Sequence, residues 1–590
     1  QNIHDQEILK NEIIKYTNYM KLFRAIFFLS IIVSLVLLFN LGLIYLAIVI
    51  LTLIPFVYFY SKNSTLITLG RIKNLWGKEL IRKRHFKKIK ERYLLAESNV
   101  DYKYVVDDQT WYDLNFDDIF AKIDITFTTP GEIYLYKILR NPLFDIKSIE
   151  LRKKFIELFE NDVPLREKVQ FYLSHLDKDN SYDITKILWG NYSYTKSLKN
   201  VLNMFSIIAF LSVLSPFYFG EQATLFIVFP IFLVNLLIYL YASKRYPFKP
   251  TSILYLKSLL GTAVSISSIK ETGIEKFQDR IKIIAPKYKK IIKRNLYIIY
   301  HGEGILNLAL KFINIFFLLE SKKFYTTVYE MHENTNYLKE IYNLIGKMDA
   351  LQSIASYRKS LANYTTPVFD ENAVYIKATN IVHPLVANPV PNSIKIMGKG
   401  ILITGANMSG KTTFLRTLGI NTILSQTIIT CLGTSYKGNL FKVISSISKS
   451  DNLSKGKSFY YAEAERLLKI VKSSESDINT LCLIDELLSG TNSIERVSAS
   501  EEILKYIIRK NSLVVVATHD LEITSELGEF YSCYHFNDSI NKNDLNFDYQ
   551  IKEGIAETTN AIKILNFLKY PQSIINNSNR KITTKIRPQL

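Results

Sequence analysis

A chain of 590 residues, 48% hydrophobic and 13% aromatic, has room for roughly three to five domains and is too apolar to be disordered throughout. A formal net charge of +20 and an isoelectric point near 9.3 suit a polyanionic partner, either nucleic acid or an anionic membrane face. The three cysteines, Cys431, Cys482 and Cys533, form no Cys-x-x-Cys pair, which argues against a disulfide framework and a zinc site and suits a reducing compartment.

Residues 1–21 form an N-terminal segment. From Ala25 to Tyr60 no Asp, Glu, Lys or Arg occurs, and a polar dip, Asn40-Leu41-Gly42, sits near the middle. One span takes roughly 20 apolar residues, so this run predicts a transmembrane hairpin over 22–60, with arms at about 22–39 and 43–60. The stretch "RIKNLWGKELIRKRHFKKIKERY", 71–93, then predicts a basic helix. It suits anionic lipid head groups, nucleic acid or simply a solvated face. "KYKKIIKR" at 287–294 has the same three readings. A second apolar run, 201–242, is broken at Phe219-Gly220-Glu221-Gln222 and predicts another hairpin, about 201–219 and 223–242.

Lys21, Arg24, Lys62, Arg71 and Lys73 flank the first hairpin; Lys196, Lys199, Lys244 and Arg245 flank the second. The short loops within the hairpins lack Lys and Arg, so both face outward by the positive-inside rule. The expectation is a multi-pass membrane protein with four spans, its termini and nucleotide domain cytoplasmic. Very apolar buried core helices are the alternative, disfavoured because soluble helices rarely lack charge on every face. A cleaved signal peptide fits poorly, since the first run is too long and has no small-residue cleavage pattern. The remaining expected divisions are a helical core and lever in two parts, 61–200 and 243–375, a nucleotide domain over 376–570, and a tail over 571–590.

"GILIT", 400–404, reads as a strand, and Gly405 to Thr412 fits G-x-x-x-x-G-K-[ST], followed by a helix with Phe414, Leu415 and Leu418 on one face. Glycines let backbone N–H groups wrap phosphates, and the helix N-terminus adds a favourable dipole. The expected ATP-binding residues are Gly405, Ala406, Asn407, Met408, Ser409, Gly410, Lys411, Thr412 and Thr413. Lys411 reaches the β- and γ-phosphates, and the Thr412 hydroxyl ligates Mg²⁺. A second strand, "TLCLIDE" at 480–486, ends in Asp485, expected in the Mg²⁺ shell directly or through water, and Glu486, expected as base or orienting group for the attacking water. A third, "SLVVVATHD" at 512–520, ends in Thr518 and His519, the histidine expected to sense or polarise the γ-phosphate.

Taken in order, these strand ends resemble the ATPase of the MutS family, a branch of the ABC-type ATPases. "TGANMSGKTTFLR" from Thr404 is similar to that family's phosphate loop, "DELLSGTNSIERVS" (485–498) to its Walker B segment, with Glu495 where the family has an acid, and "ATHDLEIT" (517–524) to its histidine switch. "SDNLSKGKSFYYAEAE", 450–465, resembles its signature segment, with Asp451, Leu453, Gly456, Ser458 and Glu463 at matching spacing. The resemblance implies that Ser458 and Gly456 act in trans, on the nucleotide of the other subunit of a homodimer. Upstream, 107–152 and "LIGKMDALQSIASY" (344–357) resemble the helical core; "HPLV" (383–386) resembles the lead-in to the nucleotide domain, and 549–565 the closing segment at the dimer interface.

The expected fold is thus an α/β P-loop ABC-type ATPase domain joined to a mainly α-helical core and lever domain carrying two transmembrane hairpins. About twenty residues precede the first apolar run, so the family's mismatch-reading and connector domains are not expected here. The resemblance implies ATP hydrolysis in a composite dimer, coupled to DNA; the hydrophobic runs add a membrane anchor and membrane lipids as partners. The alternative is a mechanochemical membrane ATPase with no nucleic-acid role.

Overall fold

The computed structural model describes residues 2–41, 44–80, 82–98, 100–176, 178, 184–190, 196–246, 248, 251–284, 305–406, 408–448, 459–541, 544–555, 565 and 569–586. The first two-thirds is helical; the sheets lie in the C-terminal third.

Local sequence sets the helix starts. Asp107, Thr128, Asp145 and Asp162 each accept a hydrogen bond from a first-turn backbone N–H, of Thr110, Gly131, Ser148 and Leu165 respectively. Each such cap stabilises its helix by about 1 kcal/mol. The Thr335–Ser360 helix is the organising element, buried along most of its length from Leu338 to Arg358. It lies so close to the Thr129–Arg140 helix that a Cβ on Gly346 would meet Pro130 O at 2.6 Å. Asp349, 1% exposed, accepts from Phe127 N (3.1 Å), Thr128 N (2.8 Å) and Thr128 Oγ1 (2.7 Å). Burial pushes its carboxyl up to about 6 despite those donors.

The expected four-span topology is overturned. Among the described residues one helix, Thr224–Lys244, is long and apolar enough to cross a membrane. In the second apolar run the Lys196–Ser212 helix stops short, and Ser215–Phe219 is a separate five-residue helix ended by Gly220 at φ +77. The span expected at 201–219 is therefore broken in the middle. In the first run the helices Asn2–Leu41 and Ile44–Leu75 extend far into charged sequence at both ends. They pair with each other: Phe23 stacks on Phe59 at 4.7 Å, Phe27 on Phe56 at 5.4 Å, and Ser30 Oγ lies 2.8 Å from Thr52 Oγ1. The lack of charge there thus serves, in part, a helix–helix seam. The multi-pass membrane location, the sidedness given to the termini and nucleotide domain, and membrane lipids as partners fall with it. The basic helix expected over 71–93 is also divided. The chain turns at Gly77 (φ +71), and a new helix begins at Phe86.

The strands are β1 (Val368–Phe369), β2 (Tyr375–Ile381), β3 (Asn392–Met397), β4 (Gly400–Thr404), β5 (Ser435–Gly438), β6 (Lys442–Ser446), β7 (Thr480–Asp485), β8 (Ser512–Ala517), β9 (Tyr531–Asn541) and β10 (Asp544–Glu553). One sheet has the order β1-β5-β2-β3, the other β10-β9-β4-β8-β7-β6. In the larger sheet only β10 runs antiparallel to its neighbour. Its central strands are buried on both faces, as parallel strands between helices must be. Ile401, Ile403, Leu481, Leu483 and Val515 pack with Phe414, Leu415 and Leu418 of the Lys411–Thr427 helix. The alternate residues Leu402, Cys482, Ile484, Val514 and Val516 pack with Leu467, Leu504 and Ile507 of the Phe459–Ser474 and Ser493–Ile508 helices. The period of two along each strand fixes this division.

Candidate functional site

Register brings the three motif-bearing strand ends together. Ile403 of β4 and Asp485 of β7 both pair with Ala517 of β8, so the three residues lie in one row across the sheet. The chain leaves all three strands at the same edge, through the Gly405–Thr412 loop after β4, Glu486 after β7, and Thr518-His519 after β8. Backbone bonds extend the row, from Glu486 N to Ala517 O (2.9 Å) and from Thr518 N to Ile403 O (3.0 Å).

The loop requires its glycines. Gly405 (φ +138) and Gly410 (φ +111) lie in the region that L side chains avoid, and a Cβ on Gly405 would meet Phe536 O at 2.9 Å. Lys411, 5% exposed, donates to Gly405 O and Ala406 O at 2.8 Å each, which holds its ammonium inside the loop. Burial pushes that ammonium down to about 8, with Asp485 and Glu486 pulling it back up. Thr412 Oγ1 donates to Asp485 Oδ2 at 2.6 Å. His519 Nε2 lies 3.5 Å from Glu486 Oε1. Burial, and then Lys411, lower the imidazole pKa, so the ring is neutral at pH 7 and this contact is no full ion pair. Glu486 (φ +60) and Leu488 (φ +51) occupy left-handed backbone, a strain of order 1–3 kcal/mol per residue that clusters at working sites.

A cavity of about 370 Å³ gathers Met408, Gly410, Lys411, Thr412, Thr413, Asp485, Glu486 and His519, with Ile447 and Tyr549 completing its wall. The Ser409 hydroxyl is buried in the loop with no hydrogen-bond partner among the described residues. Of the other expected site residues, Asn407, Gly456 and Ser458 lie outside the described residues, as do Asp451, Leu453 and the 287–294 cluster. Glu463 Oε1 accepts from Ser489 N at 3.2 Å, tying the Phe459–Ser474 helix to the loop after β7.

A second cavity, about 290 Å³, adjoins the first and shares Gly410, Thr413 and Tyr549 with it. Its wall is mostly apolar, with Ile381, Val386, Pro389, Phe414 and Phe536, and its polar points include His383, Asn388, Asn392 and Thr417. Burial pushes the His383 imidazole down to about 4. Asn392 holds the Tyr549 backbone in place, donating to Tyr549 O at 2.9 Å and accepting from Ile551 N at 2.8 Å.

Sequence reasoning missed the anchors that fix this edge to the helical part. Asp113, fully buried, accepts from Ser445 Oγ (2.7 Å), Ile447 N (3.0 Å) and Ser448 N (3.1 Å). Arg466 donates to Ser445 O (2.6 Å), Thr110 Oγ1 (2.8 Å) and Asp107 Oδ2 (3.1 Å). Their partners lie more than 300 residues away or across two elements, and the only sequence signal was the acidic run at 107–118.

Comparison with known proteins agrees with this architecture. Residues 401–586 match the family described as MutS domain V. A DNA mismatch repair protein MutS of Thermotoga sp. (strain RQ2) is 26% identical over 506 residues, covering 78% of this chain and 62% of that protein. Another, from Clostridium novyi (strain NT), is 25% identical over 521 residues, covering 78% and 56%. A DNA mismatch repair protein MSH3 of Vanderwaltozyma polyspora is 27% identical over 284 residues, covering 45% and 27%. The chain spans about three-fifths of the length of the first of these relatives. The domain V match and alignments running across more than three-quarters of the sequence agree with the motif-bearing sheet edge, and together they support membership of the MutS family.

Proposed function

We propose that this chain is an ATPase of the P-loop, ABC type that works as a homodimer and couples ATP hydrolysis to DNA. The carrying observation is the single cavity that gathers Lys411, Thr412, Asp485, Glu486 and His519 at one sheet edge. In this reading residues 376–570 form the nucleotide domain, and 61–200 with 243–375 the helical core and lever. The loop from Gly405 through Ala406, Asn407, Met408, Ser409 and Gly410 to Thr413 surrounds the phosphates, with Lys411 on the β- and γ-phosphates. The adjoining apolar cavity takes the base.

Thr412 and Asp485 suit Mg²⁺: a hydroxyl and a carboxylate 2.6 Å apart are the hard oxygen donors that ion takes, beside phosphate oxygens. Bound there, Mg²⁺ supplies neutralisation of charge on the β- and γ-phosphate oxygens. Glu486 accepts a proton from water as the water oxygen attacks the γ-phosphorus. The bond from γ-phosphorus to the β-γ bridging oxygen breaks, and ADP and phosphate leave. Neutral His519 donates a hydrogen bond toward the γ-phosphate. Catalysis is then mainly positioning and charge stabilisation.

The second subunit follows from the resemblance of 450–465, with Ser458 and Gly456 acting in trans, and from the surface beside the cavity. Met408 is 79% exposed at the loop tip and Ile494 75% exposed after β7, apolar groups that a second copy would cover. DNA follows from the net charge of +20 and from the relatives' names. The test is phosphate release by the full chain with no DNA, perfect duplex, mismatched duplex and branched DNA, at low and moderate salt. Turnover abolished by Lys411→Ala and raised by DNA is expected. Turnover untouched by Lys411→Ala refutes the site, and indifference to every DNA at low salt refutes the coupling.

A further inference from the structure

The divided basic stretch builds a second concave site, distinct from the Gly405–Thr412 loop. Residues 82–85, which lead into the helix at Phe86, are non-helical, and Arg82 and Arg84 fold onto Asp124, whose side chain is fully buried. Arg84 Nε lies 3.0 Å from Asp124 Oδ2, and Arg82 Nη1 donates to Thr126 O at 3.2 Å. From the opposite side Lys178 Nζ reaches Glu132 Oε1 at 2.6 Å and Asp124 Oδ2 at 3.5 Å. These three cations surround a cavity of about 560 Å³, larger than the one at the phosphate loop. Lys83, His85 and Lys88 stand at its exposed rim and make no side-chain hydrogen bond or ion pair among the described residues. Arg92 adds a further cation to the wall.

Six cationic side chains face two carboxylates, Glu132 and Asp124, a net formal charge of +4 around one hollow. Like charges converging in a concavity focus the potential, and an anion relieves their repulsion. Guanidinium groups suit phosphate oxygens in particular, through paired N–H donors. The cations ring a hollow of small-molecule size instead of tracking along a groove, as a nucleic-acid backbone demands.

From this convergence we infer that the Arg82–Arg92 cavity binds a small soluble polyanion carrying two or more linked phosphates, of the nucleoside di- or triphosphate class. It is a second phosphate site, independent of Lys411.

Calorimetric titration of the full chain with inorganic tripolyphosphate tests this, in the unaltered protein, in Lys411→Ala and in Lys83→Glu/Lys88→Glu. Lys411→Ala should retain tripolyphosphate binding. Adding the two rim substitutions to it should weaken that binding at least tenfold, and Lys83→Gln/Lys88→Gln should fall between. The rim variant alone should keep its ATP turnover and its melting temperature, since both lysines are exposed. Loss of all tripolyphosphate binding in Lys411→Ala overturns the inference, as does binding there that ignores the rim substitutions. A rim variant that loses affinity for a 20-base-pair duplex while no tripolyphosphate site survives Lys411→Ala also overturns it, and makes this face a nucleic-acid contact. A Lys411→Ala chain that still hydrolyses ATP would refute the proposed ATPase site and leave this one standing.

Discussion

Lys411 carries a stability cost that its replacement should reveal. Its ammonium falls from an ordinary 10.5 to about 8, chiefly because the folded protein buries it. At about 1.4 kcal/mol per pH unit, the difference corresponds to about 3 kcal/mol of folding free energy. Below pH 8 both folded and unfolded chains carry the proton, so the full cost is present. Between pH 8 and 10.5 the unfolded chain binds more protons than the folded one, and stability rises with pH as the cost is relieved. Lys411→Met keeps the length of the side chain and removes the titration. Groups that titrate equally in both proteins cancel in the difference, so the stability of the unaltered protein relative to Lys411→Met should rise by about 3 kcal/mol from pH 8 to 10.5. For a cooperative unit of 150–250 residues that is roughly 6–12 °C in the relative melting temperature. Thermal unfolding of both proteins across this pH range, without nucleotide, makes the measurement. A difference between the two that does not change with pH would show that the ammonium is not buried as described.

Glu486→Gln should lower ATP turnover about 100-fold or more while retaining ATP binding, by single-turnover assay against filter binding; an unchanged rate removes Glu486 as the base. Ser458→Ala and Lys411→Ala chains should each be weak alone and regain part of the activity when mixed, as composite sites require; no recovery in heterodimers points to sites complete within one chain. Arg358→Ala should cost about 3–5 kcal/mol in urea unfolding, because this fully buried guanidinium binds Ile429 O (2.6 Å) and Thr430 Oγ1 (2.8 Å) and faces Glu160 at 3.5 Å. Asp113→Asn should cost about 1–3 kcal/mol, since the amide nitrogen replaces either the oxygen that accepts from Ile447 N or the one that accepts from Ser448 N, and so sets a donor against a backbone N–H. An unfolding midpoint unmoved by either change refutes the corresponding anchor.

How much the sequence discloses depends on the range of the forces involved. Strand–loop–helix succession and the paired glycines are local, so Gly405, Gly410, Lys411 and Thr412 were readable in order. The grouping of Asp485, Glu486 and His519 with them depended on parallel register, which the resemblance anticipated and the row Ile403–Ala517–Asp485 displays. Asp113, Arg466 and Asn392 were not readable, because a single Asp, Arg or Asn gives no signal until a distant backbone donor or acceptor arrives beside it. The membrane reading failed for a related reason. Absence of charge measures only what a helix avoids, and Phe27 facing Phe56 avoids charge as effectively as lipid does. In the second run, helix continuity through Ser212–Ser215 was assumed from composition and broken by the backbone.

The strand order β10-β9-β4-β8-β7-β6 also sets a timetable for synthesis. β4 is translated first of the six, yet its two neighbours, β8 and β9, come from residues 512–517 and 531–541. At about 5–20 residues per second, the strand bearing the phosphate loop leaves the ribosome roughly 5–20 s before a partner exists for either edge. Through that interval an apolar strand carries two open edges, a hazard for pairing with other chains. The cradle around Gly405–Thr412 closes only once β8, β9 and β10 have been made. A product that stops before β7 thus carries every residue of the loop but lacks Asp485, Glu486, His519, Phe536 and Tyr549, and under the proposed function nucleotide binding would report that these later strands have been made.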